Sequence, residues 1–108
     1  MSRLSDLKCV PCRGGVPPLT DERIAELQSQ LGKDWQIVSG HHLTRTFHFK
    51  NFAQALEFTN RLGTLAEEQG HHPVIQLSWG KVVVDVWTHK IDGLTESDFI
   101  LAAKIDLL

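Results

Sequence analysis

The sequence predicts an α+β fold: a four-stranded antiparallel sheet with three helices packed on one face, in the order α-β-β-α-β-β-α. Two stretches have apolar residues at helical spacing, and a third, more uniformly apolar stretch closes the chain. Between them lie two pairs of short segments, each pair joined by a turn containing glycine, at Ser39-Gly40 and Trp79-Gly80. Each pair can therefore close as a hairpin, and an antiparallel sheet tolerates one face open to solvent.

In chain order, residues 1–18 read as an N-terminal arm ended by the breakers Gly14, Gly15, Pro17 and Pro18, and residues 19–108 as one domain. Thr20 can N-cap a first helix with two acids in its first turn, Ile24, Leu27 and Leu31 on one side, and Gly32 as a stop. Two strands follow, Trp35 to Ser39 and His42 to Phe49. In the second, Leu43, Arg45, Phe47 and Phe49 alternate with His42, Thr44, Thr46 and His48, Arg45 interrupting an otherwise apolar row. Trp35 is expected in the core or at its edge, and His41, His42 and His48 read as structural or solvated.

Asn51 can cap a longer helix with Phe52, Ala55, Leu56, Leu62, Leu65 and Ala66 facing inward, closed by Gly70 in a left-handed conformation. Pro73 ends any continuation and biases His72 towards extended backbone. The second hairpin is expected over Val74 to Ser78 and Lys81 to His89. Its valines 82, 84 and 86 face the helices, while Trp87 and His89 share the opposite row. Thr95 can cap the last helix. That helix is apolar on more than one side, which leads us to expect a second burying surface, supplied by another subunit.

The 108 residues suit one core, and 42% hydrophobic with 22% charged residues is an ordinary globular composition. A net charge of -2 gives no electrostatic case for nucleic acid. No segment has the roughly 20 apolar residues of a membrane span, and the start lacks a secretory segment. A cytoplasmic protein is expected. Cys9-Val-Pro-Cys12 could be half a metal site or a redox pair, but no second pair completes four ligands, and a Gly/Pro-rich run follows it rather than a helix. An incidental or locally structural role is the expectation.

Of six histidines, His71 and His72 stand together at a helix exit. His89 follows His72 by 17 positions, room for a strand of roughly eight residues to run out, turn and return to the same end. Solvated surface, a metal site and acid–base chemistry are the three readings. Three imidazoles could hold zinc with an open position, although adjacent side chains diverge along a backbone. Acid–base chemistry asks only for one imidazolium and one neutral ring, and histidine supplies both near neutrality. Dehydration of a carbinolamine needs that combination. Asp98, in the first turn of the last helix, has an adequate structural explanation in the helix dipole.

Taken together, Glu67, His71, His72, Pro73, Trp79, His89 and Asp98 stand in the order and at the intervals found in the pterin-4a-carbinolamine dehydratases, which this sequence resembles over residues 17–108. GLTESDF and LAAKID also look like that family's last helix. The resemblance implies dehydration of 4a-hydroxytetrahydropterin to quinonoid dihydropterin, with no cofactor and no metal, in support of an aromatic amino-acid hydroxylase. It implies catalytic His71, His72 and His89, with Glu67, Trp79 and Asp98 holding the substrate or the site. It also implies a homodimer or homotetramer. Its second implication, from another class, is a non-catalytic dimerisation or assembly module. Ile75 and Gly80 depart from residues common in the family, aromatic and Asn respectively.

Overall fold

The computed structural model describes residues 4–9, 17–31 and 33–108; Gly14, Gly15, Cys12 and Gly32 lie outside them. Helices α1 (Asp21–Leu31), α2 (Phe52–Gln69) and α3 (Glu96–Ile105) pack on one face of a sheet made by β1 (Gln36–Val38), β2 (His42–His48), β3 (Val74–Ser78) and β4 (Lys81–Val86). The strand order is β1-β2-β4-β3, antiparallel throughout. This is the α+β architecture expected. Two short 3-10 helices, Leu4–Asp6 and His89–Ile91, complete the described elements.

Local chemistry sets the helix ends. The Arg23 amide donates to the Thr20 hydroxyl at 3.3 Å, and the Gln54 amide to the Asn51 carboxamide at 2.9 Å, satisfying donors that a helix start leaves free. Gly70 closes α2 at φ 62, a conformation glycine adopts without Cβ strain. The chain thus leaves α2 sharply and delivers residues 71–73 directly to β3.

Cross-strand pairing of Leu43 with Val86, Arg45 with Val84 and Phe47 with Val82 puts these residues on one sheet face. Leu43 and the three valines are fully buried there with Trp35, Leu62, Leu94, Phe99, Leu101 and Ile105. Arg45, which broke the apolar row, lies over the Phe47 ring and donates to Asp106 at 2.6 Å. The Trp35 indole donates to the same Asp106 oxygen at 2.8 Å, so polar groups at the core's margin are paired.

Three expectations change. First, α2 buries Ala55, Phe58, Leu62 and Ala66, while Phe52 and Leu56 are exposed. At 3.6 residues per turn these two sit roughly 60–100° around the helix from the buried stripe, so Phe58 takes the inward place. Second, β4 ends at Val86 and His89 belongs to a 3-10 turn. Thr88 pairs with Gly93 and closes that turn as a small loop. Third, the many-sided apolar character of α3 is satisfied within the chain. The sheet covers one side, and α1 and the N-terminal segment cover another: Leu4 is in the core, Lys104 Nζ donates to the Ser5 carbonyl at 2.8 Å, and Cys9 approaches Ser97. A second subunit is not needed to explain α3. No helix among the described residues is long and apolar enough to cross a membrane.

Candidate functional site

The exit of α2 and the end of β4 meet because β3 and β4 form a hairpin, with Val74 opposite Asp85. Residues just before β3 therefore lie beside residues just after β4. There a pocket of about 300 Å³ is lined by His71, His72, Trp87 and His89, with Gly70, Thr88 and Lys90 completing its wall. Its size is at the small end of the range for sites that hold compact organic ligands.

His71 is the most enclosed of the three pocket imidazoles, its side chain 12% exposed. Its Nε2–H donates at 2.5 Å to Asp98, whose carboxylate is fully buried. The other carboxylate oxygen accepts from the Thr95 amide and the Thr88 hydroxyl, both at 2.8 Å. A buried carboxylate needs such partners, and here His71, Thr88 and Thr95 supply them, the Thr95 hydroxyl adding a longer contact at 3.5 Å. Asp98 thus caps α3 and orients His71 at once. With Nε2 committed to the carboxylate, Nδ1 is the nitrogen left to exchange a proton with a ligand.

His72 bonds Glu67 across the helix exit, and both side chains are largely exposed, 61% and 78%. Of this pair His72 lines the pocket, and Glu67 contacts it from outside the lining. His89 lies stacked on the Trp87 indole, with centroids 4.3 Å apart and planes 12° from parallel. Sequence alternation put these two rings in one row. The ring contact is present even though the regular strand has already ended.

His71, His72, His89, Glu67 and Asp98 are therefore gathered at one end of the hairpin. Trp79 is not. It sits on the β3–β4 turn, 73% exposed, about 20 Å along the strand from Pro73. Five strand residues separate it from the pocket end, so its expected part in holding a ligand is not met within this chain. Gly80, beside it at φ 65, faces the Phe49 carbonyl, which a Cβ would approach to 3.0 Å; Ile75 pairs with Val84 in mid-hairpin. Neither of these departures lines the pocket.

Trp87 and Thr88 also line the pocket, and sequence reasoning assigned neither to the site. The signals for Trp87 were its place in the His89 row and the capacity of an indole to pack in the core or flank a flat ligand. Thr88, whose hydroxyl ties Asp98 to the loop carrying His89, had none. Among the described residues no three His, Cys, Asp or Glu side chains are grouped so as to hold a metal ion. Cys9 is half-buried, and burial pushes its thiol up to about 11, with nearby Lys104 opposing and Asp98 adding to the rise.

Comparisons with known proteins bear on the chain's family and fold. The profile of the family described as Pterin 4 alpha carbinolamine dehydratase matches residues 17–108. A protein of Rubrobacter xylanophilus is 57% identical over the full length of both chains. One of Alkaliphilus metalliredigens is 54% identical over 98% of this chain and 96% of its own. Both carry the name "Putative pterin-4-alpha-carbinolamine dehydratase". A crystal structure from Brucella melitensis, described as a transcriptional coactivator/pterin dehydratase, superposes with a TM-score of 0.75 at 33% identity, covering 83% of this chain and 96% of that one. A pterin dehydratase-like protein described as a RuBisCO assembly factor of the alpha-carboxysome superposes with a TM-score of 0.60 at 25% identity, covering 71% and 90%. With a profile match across the whole sheet and all three helices and relatives aligned end to end, the chain belongs to the pterin-4a-carbinolamine dehydratase family.

Proposed function

We propose that this protein dehydrates 4a-hydroxytetrahydropterin to quinonoid dihydropterin and water. The observation that carries the reading is the His71–Asp98 pair opening onto a pocket that also presents His72 and His89. The substrate is a carbinolamine, with a hydroxyl on C4a and a hydrogen on the adjacent N5. Elimination breaks the C4a–O bond and the N5–H bond and forms a C4a=N5 double bond. The hydroxyl leaves as water after accepting one proton, and N5 gives up another. No electrons are gained or lost overall, so two proton-transfer groups suffice.

His71 and His89 are assigned the two transfers. His71 offers Nδ1 while Asp98 fixes its ring and stabilises the imidazolium that forms when it takes a proton. His89, in the same pocket, is stacked on an indole, a surface that accommodates imidazolium. His72, with Glu67, shapes the rim. Trp87 offers a flat apolar wall for a bicyclic ring. In a cell this activity would return the cofactor of an aromatic amino-acid hydroxylase to use, and the protein would act in the cytoplasm as a homodimer or homotetramer.

Two structural relatives are described as a coactivator and an assembly factor, which makes a binding module the competing reading. A pure scaffold has no chemical need for a buried carboxylate orienting a pocket histidine. The test is the rate of loss of 4a-hydroxytetrahydropterin absorbance. Purified protein is expected to accelerate it, and His71→Ala to slow the catalysed rate at least about tenfold. Folded protein with no rate above buffer transfers the assignment to the binding module.

A further inference from the structure

The pairing of Leu43 with Val86 places the β1–β2 turn beside the loop that follows β4. Ser39 and Gly40 in that turn both have positive φ, 52 and 63, and the His41 amide closes it on the Val38 carbonyl at 2.8 Å. His41 is thereby presented to the 88–93 loop. Its Nε2 meets Asp92 Oδ1 at 2.6 Å, and its Nδ1 meets His42 Nδ1 at 3.0 Å. Both rings also contact the Trp87 indole, with centroids at 5.4 and 5.8 Å. The indole that stacks on His89 is therefore contacted by His41 and His42 as well.

Asp92 has a second link to His89. Its amide donates to the His89 carbonyl at 3.3 Å, and its backbone is left-handed at φ 51, a conformation aspartate tolerates better than most non-glycine residues. Its carboxylate, 84% exposed, is of no use to the core. What it does is tie the loop carrying His89 to the turn carrying His41.

We propose that His41 and Asp92 are positioning residues: their contact clasps the 88–93 loop to the β1–β2 turn and so fixes the pocket wall made by Trp87 and His89. The kinetic consequence rests on the dehydratase reading; the structural one does not. The Nε2–Oδ1 contact needs both residues, so within the clasp they act together.

The decisive variant is Asp92→Gly, which removes the carboxylate at a backbone conformation that glycine adopts without Cβ strain. It is expected to lower kcat about threefold to tenfold, the scale set by losing one hydrogen bond that orients a reacting group, with KM changed less than about twofold. Asp92→Asn keeps an oxygen acceptor for His41 and is expected to stay within about twofold of the native rate. His41→Ala, which also removes the His41–Trp87 contact, should lose at least as much as Asp92→Gly, and the double variant should be no slower than His41→Ala. In parallel, imidazole NMR reads the His89 ring protons, which the Trp87 ring current shifts in the native protein. Asp92→Gly is expected to move them towards the values of an unstacked histidine.

Unchanged His89 ring signals in Asp92→Gly overturn the clasp whatever the enzyme does. Rate losses that multiply in the double variant overturn it too. If the native protein shows no dehydration, the proposed function fails, and the NMR comparison alone decides the clasp.

Discussion

Asp98→Asn isolates what the buried carboxylate does, because it changes charge and acceptor count while nearly preserving shape. Asp98 accepts from the Thr95 amide and Thr88 hydroxyl on one oxygen and from His71 Nε2–H on the other. An asparagine has a single oxygen. If it serves Thr88 and Thr95, its NH2 group faces His71, which must then hold its proton on Nδ1 and present Nε2 as acceptor. Three charge-assisted bonds become neutral ones, about 1 kcal/mol each, so a loss of about 2–3 kcal/mol in stability is expected, short of unfolding a typical domain. The catalytic loss is of similar size. Nδ1, now protonated, cannot take a proton from substrate, and kcat should fall about 100-fold or more, equivalent to about 2.7 kcal/mol of transition-state stabilisation. Stopped-flow absorbance gives the rate, urea denaturation the stability, and nitrogen NMR of the imidazole the tautomer. A variant whose His71 has switched tautomer yet turns over within about threefold of native would refute the proton-transfer role given to Nδ1.

Glu67→Gln disturbs only an exposed pair at the rim, so a stability change under about 1 kcal/mol by urea denaturation is expected, with His72→Ala affecting rate less than His71→Ala. Burial pushes Asp106 above its ordinary 3.8, against the opposing hydrogen bonds from Trp35 and Arg45. The folded protein therefore holds this proton more tightly than the unfolded chain. Its contribution is fully present below 3.8 and is lost as pH rises through the higher folded value, so native protein should gain stability relative to Asp106→Asn as acidification passes through that range. This is read from denaturation midpoints at a series of pH values. With a thiol at about 11, roughly one Cys9 in a thousand is thiolate at pH 8, and peptide mapping after iodoacetamide should find it alkylated far more slowly than an ordinary cysteine.

The element order, the helix caps at Thr20, Asn51 and Gly70, and the β3 limits were legible in the sequence because each depends on nearest neighbours: a side-chain oxygen for free amides, a residue without Cβ, or a two-residue period. The gathering of His71, His72 and His89 was legible for a related reason, since a hairpin returns the chain to its starting end whatever its detailed register. Trp79 went the other way by the same logic. It is near the histidines in sequence, but a strand is extended, and it lies at the turn.

What the tertiary structure alone decided is how each ring is held. Asp98 reads in sequence as an acid at a helix start; only the packing of α3 against the hairpin brings its second oxygen to His71. Trp87, Thr88 and Asp92 lie on one segment after β4 and His41 on the β1–β2 turn, and the contacts between the two depend on the pairing of β2 with β4, a long-range register that local pattern does not encode. The surfaces of α3 were misjudged for the same reason: its apolar sides asked for partners, and tertiary packing supplied them from residues 4–9 and α1. Local propensities act over a few residues and are written in them, whereas orientation, burial and proton placement depend on groups far apart in the chain.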